Sequence, residues 1–371
     1  MRVADDVKTS ECNFRALRHP LLRSARFVLV VARLGVVGLL CILTTGCYLL
    51  ESAQGQASLL SKREPIARVI AKPSTSPTLR RELEEVIAIR DFASRELGLP
   101  NNASYRSYAD VGRPYVVWTV VAAPEFSVNA KLWCYPIVGC VAYRGYFVEA
   151  RAQRFARRLR AQGLDVSLGG VVAYSTLGHF NDPILNTMVG SGDIELASTI
   201  FHELTHQMIY VKGDADFNEA LAVTMQEEGV RRWLTAQGRI ADLTRHELRQ
   251  RHELPLIQLL TQTRDTLRTL YASGLPEAQM RERKQEILTA VQGSYEALTA
   301  EWEERVPFES WFPHGINNAY LASLATYYDC VPGFQHELQE AGSNLSAFYQ
   351  RVRALALLPR SERDAAVCRK N

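Results

Sequence analysis

The stretch that decides the fold of this chain is Thr199-Ile200-Phe201-His202-Glu203-Leu204-Thr205-His206-Gln207, which holds a His-Glu-x-x-His pattern inside an apolar run. Residues four apart on a helix lie one above the other on the same face. His202 and His206 can therefore present two imidazole nitrogens to one metal ion, with Glu203 beside it. This arrangement is typical of a helix-borne zinc site with a carboxylate general base. The alternative is a surface helix that carries two histidines and binds no metal.

The apolar spacing around the pattern also predicts where this metal helix begins and ends. Asp193 is a good N-cap residue, so the helix is expected to begin there. Gly213 is the next residue that suits a helix C-terminus, so the helix is expected to stop at that point.

A third ligand is needed, because a catalytic zinc takes three protein ligands and leaves one position for water. Asn218-Glu219-x-x-Ala222 follows the metal helix and is similar to the second-helix motif of glutamate-type zincins, which favours Glu219. The same residues also fit a capping box formed by Asp216 and Glu219. The alternatives that stay open are four acidic residues and one loop histidine, namely Asp214, Asp216, Glu227, Glu228 and His179.

The composition is that of an ordinary globular protein. Of the 371 residues, 47% are hydrophobic and 22% are charged, and the formal net charge is +3. This charge is small and no long basic patch stands out, so we expect no nucleic acid partner. The chain is long enough to bury a core in one large domain or two ordinary ones.

The N-terminal residues 1–46 have the pattern of an export signal. Arginines precede an uncharged run from Leu34 to Gly46, which has the length of a signal-peptide core and is short for a membrane span. Leu43-Thr44-Thr45-Gly46-Cys47 resembles a bacterial lipobox, so Cys47 is the predicted lipidation site. The alternative is an uncleaved anchor helix over residues 27–50. Either interpretation exports the rest of the chain, and we expect a periplasm-facing lipoprotein of the cell envelope, at the outer membrane.

Export allows the other cysteines to pair, because that compartment is oxidising. Cys134 and Cys140 flank a turn that contains Pro and Gly, so a small disulfide loop is expected there. Cys330 and Cys368 are the pair left over. Zinc ligation by cysteine is disfavoured, because their spacing fits no paired Cys-x-x-Cys pattern.

The remaining sequence predicts one strand of interest and a helical C-terminal half. Residues 171–176 are a candidate edge strand for binding a substrate backbone, with an ordinary core strand as the equal alternative. Residues 238–310 are charged and helix-rich, with a break at Gly274-Leu275-Pro276, and predict a helical hairpin insertion or lid. In zincins a Tyr or His outside the metal helix stabilises the oxyanion. The candidates for that role are Tyr327, Tyr320 and His314.

Many dispersed blocks of the chain resemble the bacterial "predicted aminopeptidase" family of exported, HExxH-containing lipoproteins. The blocks that carry the resemblance are Leu99-Pro100-Asn101-Asn102, Ser104-Tyr105, Arg113 to Trp118, Ala122 to Ser127, Trp133-Cys134 to Gly139-Cys140, Tyr143 to Phe147, Ala173 to Gly178, Phe201 to Gln207, Phe217-Asn218-Glu219 and Asn317-Asn318-Ala319. The resemblance implies a zinc-dependent peptidase, and it implies aminopeptidase activity only through the family's name. The Gly-x-Met-Glu-Asn motif that holds the substrate ammonium in well-known zinc aminopeptidases is absent. Glu125 is a candidate substitute.

These observations predict an α+β fold: a mainly helical, zincin-like core with a small mixed or antiparallel sheet and a helical C-terminal part. The expected organisation is a signal peptide with lipobox over residues 1–46, a tether over 47–77 and a peptidase domain over 78–371. The expected reaction is hydrolysis of a peptide or protein substrate, with Zn²⁺ held by His202, His206 and Glu219, and with Glu203 as general base. The alternatives are an endopeptidase with the same site and a lipid-anchored protein that binds without catalysis.

Overall fold

The computed structural model describes residues 48–135, 139–173, 175–302, 308, 312 and 315–368. The predicted signal peptide, the lipobox and Cys47 lie outside these residues. The chain divides into two compact units, residues 1–55 and residues 56–371. Residues 48–55 of the first unit are helical. None of the helices in the described residues combines the length and the apolar character that crossing a membrane requires.

The second unit is mainly helical, has small sheets of two or three strands, and ends in a helical C-terminal part. The predicted α+β fold class is therefore confirmed. The helices before the C-terminal half are α1 (Ile66–Ala71), α2 (Pro77–Arg95), α3 (Glu149–Arg160), α4 (Asp193–Met208) and α5 (Ala215–Ala236). Those that follow are α6 (Ile240–Tyr271), α7 (Glu277–Leu298), α8 (Asn318–Tyr328), α9 (Val331–Glu340), α10 (Leu345–Ala356) and α11 (Arg360–Val367).

The strands form three small sheets. They are β1 (Glu64–Pro65), β2 (Ser107–Ala109), β3 (Val117–Pro124), β4 (Trp133–Tyr135), β5 (Gly139–Val141), β6 (Tyr143–Tyr146), β7 (Leu164–Val171) and β8 (Ile184–Leu185). The strand orders are β1-β2-β8, β6-β3-β7 and β4-β5. All pairs are antiparallel except β2 with β8. The main sheet, β6-β3-β7, packs against α3 and α8.

The candidate edge strand over residues 171–176 is wrong beyond its first residue, because β7 ends at Val171. Side chains turn the backbone here: the Thr176 N–H donates to Asp182 Oδ2, and the Leu177 N–H donates to Ser175 Oγ. Residues 175–177 therefore belong to a turn that these side chains hold, and not to a strand.

The core lies where α4 and α5 cross, and α2 packs against both helices through Phe92. The crossing is close because Gly229 of α5 lies directly against the buried ring of Phe201. Leu59, Ile66 and Val69 belong to the same core. Residues 56–71 therefore belong to the compact unit, although the sequence places them in the tether.

The C-terminal half contains a helical hairpin, α6 and α7, where the sequence predicts one. The turn between the helices holds Gly274 with a φ of +71°, a backbone conformation that favours glycine. At the start of α8, the Asn318 side chain donates to the carbonyl oxygens of Pro124 and Glu125. These bonds anchor α8 at the end of β3.

Two disulfides are present, Cys134–Cys140 and Cys330–Cys368. The first joins β4 to β5, as predicted from the turn between them. The second, predicted only as the pair left over, ties the residue before α9 to the residue after α11.

Candidate metal centre

Three side-chain atoms converge at the crossing of α4 and α5. His202 Nε2 lies 3.2 Å from His206 Nε2 and 3.3 Å from Glu219 Oε2, and His206 Nε2 lies 3.5 Å from the same carboxylate oxygen. The two histidines come from successive turns of α4, and Glu219 comes from the second turn of α5. The structure therefore places all three predicted ligands together, in a group that can hold a metal ion.

The separations fit a metal better than they fit hydrogen bonds alone. His202 Nδ1 lies 3.0 Å from Gln226 Oε1, an acceptor, so Nδ1 carries the proton and Nε2 presents a lone pair. That lone pair faces a carboxylate oxygen and a second imidazole nitrogen. In a tetrahedral zinc site with bonds of 2.0–2.1 Å, neighbouring ligand atoms are separated by about 3.3–3.4 Å. The observed triangle has this size.

The loop between α4 and α5 brings Glu219 to the histidines. Asn218 donates to the Val211 carbonyl and accepts from the Val211 N–H, both at 2.8 Å. The N–H and carbonyl groups of Val211 are thereby bonded to the Asn218 side chain. They are not available for the hydrogen bonds that would continue the helix. The metal helix therefore ends at Met208, before the predicted Gly213.

Asp214 and the C-terminal helix fix the start of α5. The Asp214 carboxylate caps the helix by accepting from the Phe217 N–H, and it also accepts from Arg363 Nε at 2.7 Å. Asp216 is paired with Arg360 instead. The capping box of Asp216 with Glu219 is therefore wrong, because the cap is Asp214 and the Glu219 carboxylate is directed at the histidines.

Electrostatics couple the three ligands. Burial raises the pKa of the Glu219 carboxyl, but the hydrogen bonds with His202 and His206 outweigh it and lower the pKa to about 2. For His202, burial opposes protonation, and the hydrogen bond with Glu219 and the nearby carboxylates outweigh it, so its pKa is raised. Glu219 therefore offers an anionic ligand to a cation throughout the neutral range.

Glu203 lies beside the ligands and makes no hydrogen bond or ion pair with any described residue. It follows His202 on α4 and is partly buried. Burial raises the pKa of its carboxyl, the two histidines oppose this rise, and Glu219 and Asp182 add to it. A carboxylate without a partner beside a metal-ligand triangle is available to accept a proton.

The other candidate ligands lie elsewhere. Glu228 accepts from Arg231 and Arg232 on its own helix, and Glu227 accepts from Gln335 Nε2 at 3.1 Å. Within the described residues, His202, His206 and Glu219 form the one group of three or more potential ligands. His179 is on an exposed loop outside that group.

The three oxyanion candidates have different positions. Tyr327 lies near the end of α8. Burial is the main cause of its raised pKa, and the nearby charges of Glu219 and Glu203 raise that pKa further. Tyr320 packs instead against Phe312 in the second core, with ring centroids 5.5 Å apart. His314 lies outside the described residues. Tyr210, which the sequence analysis missed, follows the metal helix and also lies within the field of Glu219.

Glu125 is not a free acid. Its carboxylate accepts from Arg281 Nε at 2.6 Å and Nη2 at 2.9 Å, and this bidentate pair lowers the pKa of Glu125. It lies near the start of α8, whereas Tyr327 lies near the end. The nine steps along α8 from Asn318 to Tyr327 span about 14 Å of helix. Glu125 is therefore distant from the metal ligands and already neutralised.

A buried arginine near the site was also missed by sequence reasoning. Arg90 on α2 is fully buried, and its guanidinium donates to the carbonyl oxygens of Pro100, Asn102 and Ser104. Burial, with a contribution from Arg106, lowers its pKa to about 10. No local pattern marks this residue, because its acceptors are backbone atoms of a loop.

A known protein family matches most of the chain. The model of the family described as "Putative aminopeptidase" matches residues 47–367. No curated protein and no solved structure matches the chain. The chain belongs to this aminopeptidase family, which confirms the resemblance seen in its sequence blocks.

Proposed function

We propose that the chain is a zinc-dependent peptidase that cleaves the N-terminal residue from peptides. The observation that carries the proposal is the triangle of His202, His206 and Glu219 with the unpaired Glu203 beside it. Two imidazoles and one carboxylate at tetrahedral spacing suit zinc among the common divalent metals. The family description supports peptide hydrolysis as the reaction class.

The chain's own residues have distinct roles in this reaction. His202, His206 and Glu219 would hold the zinc ion, which when bound would supply Lewis acidity to lower the pKa of a water molecule and polarise the substrate carbonyl. Glu203 accepts the proton of the attacking water and passes it to the leaving amine. Gln226 fixes the tautomer and the ring orientation of His202. Tyr327 would donate a hydrogen bond to the developing oxyanion, and its proximity to Glu219 and Glu203 supports this role.

Replacement of Glu203 tests the mechanism. Glu203→Gln in the full-length protein should lower kcat by about 10²–10⁴-fold, since that is the usual contribution of a general base, while bound zinc stays at one per chain. Glu195→Gln is a matched control on the same helix, because Glu195 is exposed and pairs with Arg249 away from the site. Undiminished hydrolysis by the Glu203 variant would overturn the mechanism.

Metal analysis tests the site independently of activity. Mass spectrometry of the purified protein should find one zinc per chain, lost in His202→Ala and kept in His336→Ala, since His336 is exposed on α9. Substoichiometric zinc that is unaffected by the first change would favour a binding protein without catalysis.

Matched peptides separate exopeptidase from endopeptidase activity. An aminopeptidase should cleave peptides with a free amino terminus and leave their N-acetylated counterparts intact. Cleavage of both at similar rates would replace the proposal with an endopeptidase that uses the same site.

The proposed setting is the periplasmic face of the outer membrane, with a lipid anchor at Cys47. The lipobox-like stretch Leu43 to Cys47 supports this. The mature N-terminal peptide should carry a diacylglycerol-thioether mass, and Cys47→Ser should move the protein out of the membrane fraction. An unmodified Cys47 in a mature chain would refute the anchor.

A further inference from the structure

One face of the metal helix lies under two loops. Gln207 is one turn after Glu203, so both side chains occupy the same face of α4. Asn102 Nδ2 donates to Gln207 Oε1 at 2.8 Å. From the other side, a Cβ at Gly178 would lie 3.6 Å from the same oxygen. The loops over residues 99–105 and 175–182 therefore meet at Gln207, next to Glu203.

Both loops are held firmly. Arg90 binds three carbonyl oxygens of the first loop and is fully buried beneath it. The buried Asp182 carboxylate holds the second loop by accepting from the Thr176 N–H at 2.9 Å and the Thr176 hydroxyl at 2.8 Å. The Tyr105 N–H donates to the Asp182 carbonyl at 2.6 Å, which joins the two loops.

Tyr105 is held in a conformation that a bulky residue rarely adopts. Its φ is +63°, and its side chain is 1% exposed. Non-glycine residues at positive φ are costly, and they cluster at functional sites where surrounding structure enforces them. The buried Arg90 and Asp182 contacts on either side supply that enforcement.

Two hydrogen-bond donors on this face are buried without a well-aligned partner in the described residues. They are the Tyr105 hydroxyl and Gln207 Nε2. Because Asn102 donates to Gln207 Oε1, the orientation of the amide is fixed and Nε2 is the atom left over. The Glu203 carboxylate, an acceptor that also lacks a hydrogen-bond partner among these residues, lies on the same face of α4 as Gln207. It is also near enough to Tyr105 for its charge to act on the phenol. Buried donors are rarely left unpaired in native proteins.

We propose that Tyr105 and Gln207 are positioning residues for Glu203, whose carboxylate they hold through hydrogen bonds relayed by a water molecule. This inference rests on the proposed function, because it assigns Glu203 the role of general base. The phenol O–H and the amide N–H are donors, and the Glu203 carboxylate supplies the acceptor that each lacks. A carboxylate held from behind keeps its free oxygen directed at the substrate water, which is the geometry that proton transfer needs.

The electrostatics agree with this placement. Burial raises the pKa of the Tyr105 phenol well above its usual value, and the charges of Glu203 and Asp182 raise it further, while the Ser175 hydroxyl opposes the rise. Tyr105 therefore stays protonated and remains a donor at all pH values at which a peptidase works.

Tyr105→Phe tests the proposal, because it removes only the hydroxyl. We expect kcat to fall about tenfold or more, with KM and zinc content unchanged, since the group acts through Glu203. The melting temperature should stay the same or rise, because the lost hydroxyl is buried without a well-aligned hydrogen bond in the described residues. A residue that only stabilised the fold would show the opposite pattern.

Tyr349→Phe is the matched control. Tyr349 is also buried, but its hydroxyl donates to the Leu97 carbonyl at 2.6 Å on a different part of the core. That variant should lose thermal stability and keep kcat. Gln207→Glu is the second test, since it keeps the acceptor for Asn102 and replaces the free donor with an acceptor. It should lower kcat at least as much as Tyr105→Phe.

The outcomes separate this inference from the proposed function. Wild-type kcat in both Tyr105→Phe and Gln207→Glu, with Glu203→Gln inactive, would refute the positioning role and leave the peptidase mechanism intact. Hydrolysis retained in Glu203→Gln would overturn the mechanism itself.

Discussion

Replacement of Gly229 by alanine should destabilise the protein, although alanine is the better helix former. Gly229 lies in α5 where this helix crosses α4, the helix that carries both histidine ligands. A Cβ at this position would lie 2.5 Å from Phe201 Cδ2 and 3.0 Å from Leu97 Cδ1. The Phe201 ring is fully buried, and the Phe92 ring lies against it at a centroid distance of 6.2 Å, so it cannot simply rotate away.

The net effect follows from two opposing contributions. Alanine in place of glycine inside a helix is favoured by about 1 kcal/mol. Overpacking a close-packed core by one methyl group costs about 1–3 kcal/mol, and a 2.5 Å contact with an immobile ring belongs in the upper part of that range. We therefore expect Gly229→Ala to lower the free energy of unfolding by about 1–2 kcal/mol.

Gly293→Ala provides the matched control. Gly293 is also inside a helix, α7, but a Cβ there would meet nothing within 4 Å. Only the helix-propensity gain remains, so this variant should be more stable by about 0.5–1 kcal/mol. Urea unfolding of both variants, followed by circular dichroism, gives midpoints whose shifts should have opposite signs at equal m values. A Gly229→Ala protein as stable as wild type would refute the steric reasoning about this crossing.

Three further predictions concern stability. Asp214→Ala should cost about 3–5 kcal/mol in thermal unfolding, because it leaves the buried Arg363 guanidinium without its partner. Burial raises the pKa of Glu227 from 4.5 to about 7, so the folded state binds more protons than the unfolded state between these pH values. The free energy of unfolding should therefore fall as pH rises from about 4.5 to 7. Glu227→Gln should remove this dependence of the free energy of unfolding on pH. Loss of the Cys330–Cys368 bond by double replacement with serine should cost about 4 kcal/mol, as expected for a cross-link spanning 38 residues.

The candidate metal ligands were predictable from sequence because their geometry is local. His202 and His206 are four residues apart on a helix, and helix periodicity alone brings them together. Glu219 was predictable from its place at the start of the next helix, although its direction also depends on the Asn218 contacts with the loop. In the same way, the Cys134–Cys140 pair follows from two cysteines six residues apart with Pro and Gly between them.

The environment of the site was not predictable, because it depends on contacts between distant parts of the chain. Arg90 carries no motif, and its acceptors are the backbone carbonyls of a loop ten to fourteen residues later. The early end of the metal helix at Met208 depends on a side chain of the following helix. Asp214 and Arg363 are 149 residues apart, and nothing in the sequence around either residue indicates that the two form a pair.

The position of the third ligand depends on the C-terminus of the chain. Arg363 of α11 binds the Asp214 carboxylate, which in turn caps α5 at the Phe217 N–H, two residues before Glu219. The disulfide at Cys368 then ties the end of α11 to the residue before α9. A loss of order in α11 would therefore release the cap and loosen the turn of α5 that carries the carboxylate ligand, while both histidines stayed in place.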